Sequence, residues 1–103
     1  MKYKLVVAAS AEHDLDEIIL YIAVNLGNPK AAAGFADALD EKYSELEEQP
    51  FMFELSRNAK LADRGYRRFV VNKYVVLYLV NEERREVSIS RIFYGKRNYE
   101  KYI

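Results

Sequence analysis

Hydrophobic positions change their period along the chain, and each change predicts an element. Residues 3–8 (YKLVVA) form a short apolar run suited to a first β-strand. Next come Leu15, Ile18, Ile19, Ile22, Ala23 and Leu26, whose steps of three and one trace one face of an α-helix. Ser10 is placed to cap that helix and Gly27 to end it. Asn28 and Pro29 then restart the chain as cap and first helical residue. The second helix runs to Glu48, with Phe35, Leu39, Tyr43 and Leu46 as its core stripe. Ala31, Ala32, Ala36 and Ala38 allow close approach along it, and Pro50 stops it.

Residues 51–65 have no clean period and read as a loop with room for a short turn of helix. Three strand-like runs follow, at 66–71, 74–80 and 86–94. The links between them, Asn72-Lys73 and residues 81–85, are short enough for hairpins. Both faces of 74–80 are apolar, which predicts a central strand. The order β-α-α-β-β-β implies an α+β fold, a helical hairpin packed on a mostly antiparallel four-stranded sheet. Residues 1–103 form a single domain on this reading.

Composition narrows the functional classes. Half of the 103 residues are hydrophobic and 31% are charged, the balance of a folded domain rather than a disordered one. The absence of cysteine excludes a disulfide, a thiolate nucleophile and a Cys-based zinc site. The start, MKYKLVVAASAEHD, has the outline of a secretory signal, but its apolar run is five residues where a signal needs roughly 7–15. The longest uncharged stretch, 18–29, is twelve residues and too short to span a bilayer. A cytoplasmic protein without membrane association is the expectation.

The net charge of zero conceals two opposed halves. Residues 1–50 carry 10 acidic and 4 basic side chains; residues 51–103 carry 6 acidic and 12 basic. Such asymmetry fits either a basic surface for a polyanion or acidic helices lying against a basic sheet.

No Gly-rich phosphate loop is present, and no Ser, His and Asp residues stand at a recognisable spacing. The single histidine, His13, falls in the first turn of helix one among Glu12, Asp14 and Asp16, the place of an exposed helix-start residue. The acidic residues follow solvent faces of helices, so neither a metal nor another cofactor is expected. Chemistry concentrates in the basic half. Tyr66-Arg67-Arg68 opens strand two, and alternation puts Arg91 on a face with Val87, Ile89 and Phe93. A cation there needs a partner, either a substrate or an internal acid on a helix. Gly95 breaks the last strand and delivers Lys96 and Arg97 at the sheet's end. Guanidinium groups suit phosphate oxygens and tyrosine rings stack on bases, so an RNA site and a simple aromatic core both stay open.

The chain resembles the RelE/ParE superfamily of bacterial toxins. The resemblance rests on DLDEIILYI at 14–22, NPKAA at 28–32, Pro50-Phe51, GYRRF at 65–69, YVVLYLV at 74–80 and VSISRIFYGKRNYEKYI at 87–103. It implies a toxin of a type II toxin–antitoxin module with a cognate antitoxin as partner. RelE-like members cut messenger RNA on the ribosome without metal, which is the leading expectation here, whereas ParE-like members inhibit DNA gyrase without being nucleases, which is the alternative. For a nuclease, the resemblance implies Arg97 as catalytic, Arg67 and Arg68 as the substrate-binding basic pair, and Tyr94, Tyr99 or Tyr102 as the one proton-handling tyrosine; the reading of the last strand adds Arg91 as a catalytic candidate and Lys96 as a substrate contact. One position departs from the nuclease pattern: Val75 stands where RelE-like nucleases have an arginine after the strand's first tyrosine. An inactive member that only binds an antitoxin is a third expectation.

Overall fold

The computed structural model describes residues 2–96. Strand β1 is Lys4–Val7, helix α1 is Ala9–Leu20, and a π-helical turn continues it over Tyr21–Asn25. Helix α2 is Pro29–Glu48 and a short α3 is Ala59–Asp63. Strands β2 (Arg67–Val71), β3 (Tyr74–Asn81) and β4 (Glu86–Tyr94) complete the order. The sheet runs β1-β4-β3-β2, with β1 parallel to β4 and the other pairs antiparallel. This is the expected α+β architecture, and β3 is central.

Local chemistry explains most boundaries. Asn28 accepts the Ala31 N–H at 3.0 Å through its side chain, and Pro29 occupies the first turn of α2. Gly27 has φ +61°, the left-handed conformation that ends a helix without a Cβ penalty. Asn72 and Lys73 both have positive φ (45° and 74°), as a two-residue type I′ hairpin requires. Asn58 caps α3 by accepting the Leu61 N–H at 3.1 Å.

Two cores lie on the two faces of the sheet. Against the helices pack Phe69, Val71, Val76, Tyr78, Val87, Ile89 and Ile92, meeting Ala11, Phe35, Leu39 and Leu46. On the opposite face Leu61 of α3 covers Val75, Leu77 and Phe93. Each such large apolar side chain contributes roughly 1.5–3 kcal/mol on burial.

Three expectations about detail are corrected. Ser10 is no cap: α1 starts at Ala9, and Ser10 Oγ donates instead to the Ser90 carbonyl at 3.0 Å. Leu26 was expected in the core stripe but is 59% exposed. The π turn adds a residue to the helical repeat, so positions after it rotate away from the stripe. Arg91 does not share a face with Val87 and Ile89. Tyr78 pairs with Ile89 and Leu77 with Arg91, which makes Ser90 the extra residue of a β-bulge. Beyond the bulge Ile92 faces the helices, while Arg91 and Phe93 turn to the other side.

Candidate functional site

The β-bulge decides what Arg91 can do. β1 ends at Val7, opposite Ile89, and the Ala8 N–H donates to the Ile89 carbonyl at 2.9 Å. Beyond that point α1 covers the outer edge of β4. The Asp14 carboxylate takes the position of a missing strand and accepts the Ile92 N–H at 2.9 Å. It also accepts Arg91 Nε at 2.8 Å and Nη2 at 3.0 Å, a two-pronged ion pair. The Arg91 guanidinium carbon lies 4.8 Å from the Phe93 ring centroid. Of the two partners open to Arg91, the internal helix acid is the one present.

Asp14 is a site residue that the sequence reading does not name as one, although the helix pattern carries a signal for it. Ala11, Asp14, Leu15 and Ile18 share the helical spacing of the buried face, so a carboxylate on that stripe needed a buried partner. Asp14 is 8% exposed. His13, in contrast, is exposed and contacts Glu17 at 3.1 Å.

The other basic candidates are separated rather than gathered. Arg67 and Arg68 alternate across β2. Arg67 points to the helix side, where Nη1 donates to the Phe53 carbonyl at 2.7 Å and the guanidinium lies 5.0 Å from the Phe51 ring centroid. Arg68 sits opposite Leu77 on the other face, 3.8 Å from Glu54. Arg68 and Arg91 thus flank Leu77 in one row across three strands. Val75, where a nuclease would carry arginine, is buried beside Leu77 and Phe93. Lys96 is exposed just after the Gly95 turn. Arg97, Tyr99 and Tyr102 lie outside the described residues.

A groove of about 860 Å³ lies between α1, the π turn, the start of α2 and the ends of β3 and β4. Ile18, Tyr21, Ile22, Phe35, Tyr74 and Tyr94 give it an apolar, aromatic lining, and Asp14, Glu17 and Lys73 supply charge. Tyr94 packs edge-on against Tyr74 with centroids 5.8 Å apart. Burial above all, then the neighbouring Tyr21 and Tyr94 hydroxyls, pushes the Tyr74 pKa up. Tyr21 and Leu26 line the groove while 49% and 59% exposed, and Leu20 and Val24, one helical turn on from lining residues Glu17 and Tyr21, are 61% and 66% exposed. Tyr78 is fully buried and donates its hydroxyl to the Pro50 carbonyl at 3.0 Å.

Among the described residues no group of three or more His, Cys, Asp or Glu side chains is placed to hold a metal ion, and no helix is long and apolar enough to cross a membrane. The arrangement offers an aromatic groove and a neutralised strand arginine, chemistry suited to holding a protein segment.

Comparison with known proteins agrees with this geometry. Residues 5–99 match the family model described as the ParE toxin of the type II toxin–antitoxin system, parDE. Among solved structures, the chromosomal ParDE system of P. aeruginosa is similar at TM-score 0.72 and 21% identity, covering 92% of this chain and 98% of that one. A free-state mutant of the E. coli toxin RelE gives 0.69 and 16%, over 99% and 92% of the two chains. The RelBE2 toxin–antitoxin complex of Mycobacterium tuberculosis gives 0.63 and 18%, over 91% and 99%. No curated protein matches the sequence.

Proposed function

The chain belongs to the ParE toxin family of type II toxin–antitoxin systems, and from that premise we propose that it poisons by binding, as a non-enzymatic inhibitor of DNA gyrase. The observation that carries this reading is the Asp14–Arg91 pair. A nuclease needs strand cations free to meet a phosphate as charge develops on it. Here the strand-four arginine is held by a carboxylate at 2.8 Å, and the position for a strand-three arginine is a buried valine. Arg67 is occupied by a backbone carbonyl on the far side of the sheet. Burial raises the pKa values of Tyr74 and Tyr78, which disfavours either hydroxyl as a general base.

The same reading seats the cognate antitoxin in the aromatic groove. An amphipathic helix laid between the π turn and Tyr94 would cover the exposed Leu20, Val24 and Leu26. Two neighbours, from P. aeruginosa and M. tuberculosis, are described as a ParDE system and a RelBE2 complex, which supports a protein partner of this kind.

The test is induced expression without antitoxin, with RNA 5′ ends mapped in the arrested cells. Growth arrest without new ends inside translated codons is the expected result. Cleavage within codons would replace this reading with ribosome-dependent RNA cleavage.

A further inference from the structure

A second surface lies away from the groove, in the segment joining α2 to β2. Phe51, Met52 and Leu55 are 45%, 42% and 44% exposed. Three large apolar side chains within five residues make a cluster rather than scattered single exposures. This segment is not slack. Its Pro50 carbonyl accepts the buried Tyr78 hydroxyl at 3.0 Å, and its Phe53 carbonyl accepts Arg67 at 2.7 Å. The Phe53 ring stacks on core Phe69 with centroids 5.0 Å apart.

The next residues are fixed to the edge of β2. The Arg68 N–H donates to the Glu54 carbonyl at 3.1 Å, the Ser56 N–H donates to the Tyr66 carbonyl at 2.8 Å, and Leu55 bridges Arg67. Arg67 therefore joins the patch: its backbone pairs with Leu55 while its guanidinium lies over the Phe51 ring. The exposed side chains stand on a backbone already ordered, so a partner would not bear the entropy of ordering it.

Charge states which partner fits. Among residues 51–68 the exposed cations Arg57, Lys60 and Arg64 outnumber the exposed carboxylates Glu54 and Asp63, and half-buried Arg67 adds a guanidinium over the Phe51 ring. Aromatic residues, methionine and arginine are the side chains enriched at protein interfaces. Met52 and Leu55 offer neither stacking rings nor hydrogen bonds to a nucleic acid, yet both gain from entering an apolar pocket. We propose that residues 51–55 are the toxin's target-docking surface, fitting a protein pocket that is apolar at its centre and rimmed by carboxylates. The proposal rests on the toxin reading and adds the place where the target is gripped.

The experiment compares growth arrest by wild type, Phe51→Ser/Leu55→Ser and Met52→Glu, each expressed without antitoxin. Melting temperature and antitoxin capture are measured on the purified proteins, and gyrase supercoiling is assayed beside them. The expected result is at least a tenfold loss of potency in both variants, with melting temperature and antitoxin capture kept. Arrest at wild-type potency by Met52→Glu, a change at a single exposed side chain, overturns the proposal. So does loss of antitoxin capture with arrest intact, which would give the patch to the antitoxin. Lost arrest in the variants, with gyrase indifferent to wild type, keeps the docking surface and overturns only the choice of target. A wild type that leaves growth untouched removes the toxin reading and the proposal together.

Discussion

Asp14 on α1 and Arg91 on β4 are 77 residues apart in sequence and joined by two hydrogen bonds, at 2.8 and 3.0 Å. The same carboxylate accepts the Ile92 N–H, so one side chain closes the strand edge where β1 stops and neutralises the only arginine of β4. Asp14→Ala removes both functions. Because Asp14 is largely buried and Arg91 partly so, the loss should be about 3 kcal/mol. Asp14→Asn keeps an acceptor for the Ile92 N–H and should lose less. Chemical denaturation of the three proteins checks the order.

How much of this was readable beforehand differs by element. The strands, the helical hairpin and its Asn28-Pro29 restart follow from period and capping, because those signals are local. The bulge at Ser90 does not, because it depends on which β3 residue opposes which β4 residue. Alternation counted through Ser90 therefore assigns Arg91 to the wrong face. Ser10 fails as a cap for a related reason: a strand carbonyl eighty residues away takes its hydroxyl. Among the site residues, a helix acid was a foreseeable partner for Arg91, while Asp14 was not singled out as that acid. The exposure of Phe51, Met52 and Leu55 was invisible, since it arises from backbone ties to Tyr78, Arg67 and the β2 edge.

The groove makes a prediction that separates binding from folding. Val24 and Leu26 are 66% and 59% exposed, so Val24→Asp and Leu26→Glu should change stability by only about 0.5 kcal/mol. Antitoxin capture should fall by roughly tenfold or more, since each change places a charge against an apolar contact. Titration calorimetry with the cognate antitoxin measures it.

Alkaline pH should unfold the chain early. Burial raises the pKa values of Tyr43, Tyr74 and Tyr78 above the ordinary 10.0, with Asp40 adding to the effect at Tyr43. Above pH 10 the unfolded chain releases these protons while the folded chain keeps them, so the unfolded state binds fewer protons and stability falls as pH rises. Below pH 10 these groups add no slope. The Tyr43 hydroxyl is buried without a hydrogen-bond partner among the described residues. Tyr43→Phe should therefore be about 1 kcal/mol more stable at neutral pH and should lose less above pH 10. Melting curves from pH 8 to about 11 show both effects.

Gly95 should resist substitution. A Cβ there would lie 3.0 Å from the Lys73 carbonyl oxygen, which already accepts the Gly95 N–H at 2.8 Å. Gly95→Ala must part these strands slightly, at a cost of about 1 kcal/mol. Hydrogen exchange should then quicken at Gly95 before it does in mid-sheet.

The measurement closest to the central claim is supercoiling by purified DNA gyrase titrated with the purified toxin. The account predicts that supercoiling is lost with rising toxin and restored by stoichiometric antitoxin. Undiminished supercoiling at a large molar excess of folded toxin would contradict it.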